Sequence, residues 1–322
     1  MNHLALSTEL QNSPVLTSGP AMQRFKDILV VYDGNVGAED ALNQAIMLAK
    51  ANQARLTLVD LIEEGRYTAH SVNERQRRLK RLLPAIKADT ITSVDAKVLV
   101  GIPFLEIIKE VLKNKHDLVV ASAEGGRVVE AVFFGSTVTH LIRKCPCPVW
   151  IVKPGQPVPY GRILAAVDPK PHDRTSDDLN RKIMDLATSL ARMTSGSLDI
   201  IHAWDVSGQD QDTLASEAPS SVYKAILEQH ENQHRERVEA LLQHYDLDDV
   251  AHQLLLPRGL PHKRIIDTVQ DYDVDLIVMG TVNRTGIPGL LIGSAAETVL
   301  EAAHCGVLAV KPAGFATPVG LH

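Results

Sequence analysis

The chain repeats itself at a spacing of 158 residues. Gly293 and Ser294 stand 158 positions after Gly135 and Ser136, Cys305 after Cys147, and Lys311 and Pro312 after Lys153 and Pro154. Asp275 and Leu276 match Asp117 and Leu118 at the same offset, and Gly259 matches Gly101. A constant offset held over more than fifty positions marks a duplicated domain. Two copies also suit a chain of 322 residues.

Each copy alternates short apolar runs with stretches of helical period. In the first, residues 28–32, 56–62, 97–100, 117–121 and 149–152 read as strands of the buried, parallel kind. Ala41, Leu42, Ala45, Ile46, Leu48 and Ala49 keep a helical period, as do Leu79, Leu82, Leu83 and Ile86 within a charged helix over 74–87. A further helix is expected over 104–112. In the second copy, residues 163–167, 198–203, 275–279 and 307–310 read as strands, and Leu179, Ile183, Leu186, Ala187 and Leu190 as a helix face. The first-strand aspartates Asp33 and Asp168 lie only 135 apart, so the second copy carries 23 additional residues before its third strand. Part is expected in a longer loop over 169–178, and most between 207 and 250, around a polar helix at 220–244. The expected organisation is a mobile leader at 1–22, a first unit at 23–155, a linker at 156–161, a second unit at 162–313 and a tail at 314–322.

Strand–helix alternation predicts an α/β fold: two tandem Rossmann-like domains, each a five-stranded parallel sheet with helices on both faces. Such sheets take ligands at the carboxyl ends of their strands. Asp33, Asp168, Ser122 and Gly280 fall there. So does a glycine-rich stretch over 280–294, reading GTVNRTGIPGLLIGS, between an apolar strand and a helix. A strand–loop–helix of this composition presents backbone N–H groups and a positive helix end to an anion. It is not a Walker A loop, because no Gly-Lys-Ser/Thr ends it.

With these residues the chain resembles the universal stress protein family in its tandem form. Members that bind ATP carry Gly-x2-Gly-x9-Gly-Ser/Thr. The second copy has Gly280, Asn283, Gly293 and Ser294 at those positions, and the first has Ser122, Gly125, Gly135 and Ser136. Asn283 is the non-glycine residue that best tolerates left-handed backbone geometry. Arg284 adds a cation, and Gly286 and Gly289 keep the loop open. The first loop instead offers the acid Glu124 and bulky Phe133 and Phe134. The resemblance therefore implies ATP or another adenine nucleotide, with or without Mg, in the second domain. Its contacts would be Asp168 at the nucleoside end, Ala203 at the base, and Met279, Gly280, Asn283, Arg284, Gly293, Ser294 and Ala295 around the phosphates. Leu61 is the counterpart of Ala203, and Asp33 that of Asp168. The resemblance further implies a non-catalytic role in survival under stress, DNA-damaging conditions included. It also implies pairing of the last strands, 149–152 with 307–310, into a pseudo-dimer; a homodimer and protein partners stay open. A nucleotide-free scaffold is the alternative, and a slow ATPase or metal-dependent hydrolase a further one.

Other features carry less. A net charge of −6 argues against a dedicated nucleic-acid binder. No apolar run approaches the roughly 20 residues of a membrane span, and residues 1–10 lack the pattern of a secretory signal. Three cysteines, Cys145, Cys147 and Cys305, suggest reduced thiols and a cytoplasmic location. A bridge between Cys145 and Cys147 would be strained. His230, Glu231 and His234 fit the HExxH pattern of zinc proteases. Without a third-ligand motif, the expectation is a solvated helix face that holds no metal. Arg75, Arg77, Arg78, Lys80 and Arg81 read as a charged outer helix face, since aromatics total only 4%. Asp168 could also serve simply as a helix cap.

Overall fold

A computed structural model describes residues 24–89, 93–123, 136–205, 220–281 and 293–321. The first half runs β1 (Asp27–Val31), α1 (Ala38–Asn52), β2 (Arg55–Ile62), α2 (Ala69–Asp89), β3 (Val94–Val100), α3 (Pro103–Asn114), β4 (Leu118–Ser122), α4 (Ser136–Lys144) and β5 (Val149–Val152). The second runs β6 (Arg162–Ala166), α5 (Arg174–Thr194), β7 (Ser197–Ile201), α6 (Ser220–Leu242), β8 (His252–Leu255), α7 (Pro261–Asp271), β9 (Leu276–Gly280), α8 (Ser294–Ala302) and β10 (Gly306–Val310).

The strands form one sheet in the order β3-β2-β1-β4-β5-β10-β9-β6-β7-β8. Within each half all pairings are parallel. The halves meet where β10 pairs antiparallel with β5, Leu308 opposite Trp150. The expected edge-to-edge pairing of the last strands is therefore present, and it leaves neither of these two edges exposed.

Period-2 alternation of the strands sorts the apolar side chains into two cores, one on each face. Ile28, Val30, Leu56, Leu118, Ile163, Leu276 and Leu308 point to the face covered by α1, α2, α5 and α6. Leu29, Val31, Val119, Leu164, Ile277 and Val307 point to the face covered by α3, α4, α7 and α8. Each such side chain, fully buried, contributes about 1.5–3 kcal/mol. Both cores run across the seam between the halves.

The residues that repeat at 158 positions have structural reasons to do so. The carboxylate of Asp117 accepts the amides of Lys26 and Asp27, at 2.7 and 3.1 Å, and so holds the start of β1 against β4. Asp275 does the same for Gly161 and Arg162 ahead of β6, at 2.7 and 2.9 Å. Gly101 and Gly259 take φ of +142° and +132°, a region that strains any other residue.

Most of the additional residues of the second copy lie between β7 and β8, around α6, as expected, but the part assigned to the loop after the first strand sits differently. The loop after β6 is hardly longer than that after β1. α5 instead begins at Arg174 and spans 21 residues against 15 in α1. Asp173 makes this possible: its carboxylate accepts the Ser176 amide at 3.0 Å and caps the helix six residues before Leu179.

Candidate functional site

The chain order of the second half reverses between β6 and β9: β7 and β8 lie on one side of β6, β9 and β10 on the other. Crevices at such a reversal are where open α/β sheets hold ligands. The ends of β6, β7 and β9 and the start of α8 bring Asp168, Ala203, Met279, Gly280, Gly293, Ser294 and Ala295 to this one edge.

Asp168 is pinned by its backbone. Its amide donates to Asn180 Oδ1 at 2.9 Å, and its carbonyl accepts the Ser176 hydroxyl at 2.8 Å. The carboxylate is exposed and lies 3.3 Å from Lys170 Nζ. Asp168 does not cap α5; Asp173 has that role. Ala203 is half-buried between His202 and Trp204, whose amides donate to Leu255 and Pro257 on the β8 side. The alternation of a strand turns the Ala203 amide the other way, toward β6.

The loop ends are tied together. The Gly293 amide donates to the Thr281 carbonyl at 3.1 Å, and Gly293 precedes α8 with no side chain capping the helix. Ser294 is exposed, and Ala295 is half-buried. Among the described residues, no side chain caps the first-turn amides of α8 at Gly293, an arrangement that favours an anion. Asn283, Arg284, Gly286 and Gly289 lie outside the described residues, as do Glu124, Gly125, Phe133, Phe134 and Gly135 in the first copy and the whole leader. Met279 is buried in a core. Gly280 has a packing reason to be glycine, since a Cβ there would stand 2.7 Å from Cδ2 of Leu179.

Two clusters at the strand ends escaped the sequence reading. In the first half, Asp60 near the end of β2 is fully buried. Its two carboxylate oxygens accept from Arg75 and Arg78, each at 2.6 Å. The Arg78 guanidinium lies over Gly34, where an added Cβ would come within 2.5 Å of it. The basic run is therefore not wholly a solvated face: Arg77, Lys80 and Arg81 are exposed, but Arg75 and Arg78 turn inward. The i,i+3 spacing of these two, on the side of α2 that carries buried Leu79, is the signal that reveals them. Asp33 beside them is pushed up from the usual carboxylate range by burial, against the Asn35 amide that it accepts at 3.0 Å.

In the second half the residue in the place of Asp60 is His202. Its Nδ1 lies 3.1 Å from the Val167 carbonyl and its Nε2 lies 2.8 Å from Nδ1 of His234 on α6. His234 also stacks on Trp204, with ring centroids 5.6 Å apart. One histidine of the HExxH pattern thus faces the sheet, not solvent. Burial first, then the nearby positive groups His202, Arg237 and His230, push its pKa down to about 4. Glu231 pairs with Arg235 at 3.1 Å. Among the described residues, no group of three or more His, Cys, Asp or Glu stands close enough to hold a metal, and no helix is long and apolar enough to cross a membrane.

Comparison with known proteins agrees with this architecture. The chain is 31% identical over 317 residues to universal stress protein E of Escherichia coli K12, covering 93% of this chain and 98% of that one. It matches the protein of the same name from Salmonella typhi to the same extent. A crystal structure of a putative universal stress protein from Pseudomonas aeruginosa UCBPP-PA14 superposes with a TM-score of 0.73 at 27% identity, over 91% of this chain and 95% of that chain. The model of the universal stress protein family matches twice, over residues 24–153 and 159–311, and the chain belongs to that family.

Proposed function

We propose that the protein is a stress-response protein that works by binding an adenine nucleotide in its second half and catalyses no reaction of its own. The observation that carries this reading is the pairing of two features at one topological reversal: the exposed carboxylate of Asp168 and the start of α8, whose capping residue Gly293 offers no side chain. The first suits the hydroxyls of a nucleoside and the second its phosphates. Met279, Gly280 and Ala295 would shape the phosphate end, Ser294 would add a hydroxyl, and Asn283 and Arg284 would close over it. Ala203 would meet the base with its backbone. ATP, with or without Mg, is the proposed ligand, and the cytoplasm, where its three thiols stay free, is the proposed location. The first half, with Arg78 lying over Gly34 and Asp60 clamped beneath, is proposed to bind none.

A second reading is a nucleotide-free scaffold. Leu179 against Gly280 and the His202–His234–Trp204 cluster beside Ala203 favour it, because both place side chains at the edge where a ligand would sit. Calorimetric titration of stripped protein with ATP and magnesium separates the two. Saturable binding that disappears in a folded Gly293→Val, Ser294→Ala variant is the expected result. No heat at millimolar ATP gives the scaffold reading precedence.

A further inference from the structure

The turn between α4 and β5 brings the sulfurs of Cys145 and Cys147 within 3.5 Å of each other. They are two residues apart, and Pro146 between them removes one backbone freedom. Cys145 is wholly buried, but Cys147 lines an open cavity of about 560 Å³ together with Arg24, His116, Pro146, Pro148 and Lys182. A small polar oxidant therefore has a route to the pair. We propose that Cys145 and Cys147 form a dithiol that hydrogen peroxide converts to an intrachain disulfide.

The chemistry balances with a peroxide as oxidant. One sulfur, as thiolate, attacks a peroxide oxygen; the S–O bond forms, the O–O bond breaks, and water leaves after protonation. The second sulfur then attacks the sulfenic sulfur. The S–S bond forms, the S–O bond breaks, and the departing hydroxide takes the second thiol's proton as water. Two thiols lose two electrons in all, and one peroxide becomes two waters. The sulfurs must approach by about 1.5 Å to reach bonding distance. Ionisation is favoured at Cys145: the Cys147 thiol beside it lowers its pKa, and the Lys311 ammonium adds to this, against the cost of burial. The single residue between the cysteines makes the bridge strained and so readily reduced, which suits a reversible response and not a permanent staple. Cys305, which lies near Lys153 across the seam, has no second cysteine beside it in the chain and serves as an internal control.

The test uses the full chain and does not depend on nucleotide binding. Protein is exposed to a small excess of hydrogen peroxide, denatured, alkylated and mapped by mass spectrometry. The expected result is alkylation of Cys305 alone and a Cys145–Cys147 peptide lighter by about 2 Da, restored by dithiothreitol. Cys305→Ser keeps this behaviour, and Cys145→Ser and Cys147→Ser each lose it. Full alkylation of all three thiols after peroxide, stable oxygen adducts at either cysteine, or disulfide-linked dimers would each overturn the proposal. The wild-type map decides the matter even if a serine variant fails to fold.

Discussion

The ammonium of Lys311 donates to the hydroxyl of Thr281 at 2.9 Å, and Thr281 accepts the amide of Gly293 at 3.1 Å. Lys311 also donates to the carbonyl of Ile142 at the end of α4. One buried cation just past the last strand of the second half thus links the end of α4 in the first half to the residue from which the 282–292 loop departs.

That position sets a pH dependence. Burial pushes the Lys311 pKa down to about 8, whereas the unfolded side chain keeps its proton to about 10.4. Above the lower value the unfolded chain holds more protons than the folded one, so stability rises with pH. Lys153, likewise lowered to about 8 by burial, acts in the same direction. Urea denaturation at pH values of about 7.5 and 8.5 is expected to show greater stability at the higher pH, with a smaller gain in Lys311→Met. Equal slopes in the two proteins would refute the assignment.

His234 acts in the acid range. Its folded pKa of about 4 lies below the unfolded value of about 6.5, so between the two the unfolded state again binds more protons. Stability contributed by the neutral ring is full above about 6.5 and is lost on acidification toward 4. His234→Phe, which keeps a ring against Trp204, is expected to flatten the decline between pH 7 and 5 in a denaturation series.

Gly280→Ala is expected to destabilise by about 1–3 kcal/mol, because the new methyl meets Leu179 at 2.7 Å. Leu179→Ala made in the same chain should recover part of that cost. A double-mutant cycle with no coupling between the two sites would show that the contact is not what restricts position 280.

Asp60→Asn removes a fully buried charge from between two guanidinium groups. Arg75 and Arg78 are partly solvated, so the expected loss is about 3 kcal/mol, at the low end for a broken buried pair. A loss below half of that in equilibrium unfolding would mean that the arginines find other partners.

Asp173→Ala deletes the cap of α5 and is expected to cost about 1 kcal/mol. Asp168→Ala, whose carboxylate is exposed and lies 3.3 Å from Lys170, is expected to leave stability within about 0.5 kcal/mol. The contrast in thermal unfolding separates the structural aspartate from the candidate ligand-binding one.

Much of the architecture was legible because it is written in local periods. Val149 to Val152 form a strand as their apolar run indicates, and the offset shared by Cys147, Cys305, Lys153 and Lys311 places the seam. The two strand-end clusters were not legible. Asp60 with Arg78, and His202 with His234, are joined across crossing helices 18 and 32 residues away in sequence. The i,i+3 spacing beside Leu79 picks out Arg75 and Arg78 as the inward arginines, but it does not name Asp60 as their partner, and nothing local pairs His234 with His202. Length was misassigned for a similar reason: a capping aspartate at position 173 turned the second half of an expected loop, 174–178, into the start of a helix. Gly280 illustrates a third case, where a glycine suited to phosphate is also demanded by a leucine packed on it.

The antiparallel join of β5 and β10 directs the carboxyl ends of the two sets of strands to opposite poles of the molecule, so no small ligand can touch both crevices. Whatever occupies one pole can reach the other only through what the halves hold in common, including the continuous sheet, the two cores that cross the seam, and the Lys311 contact with Ile142. The join is thus the mechanical path by which a ligand at one end could be felt at the other.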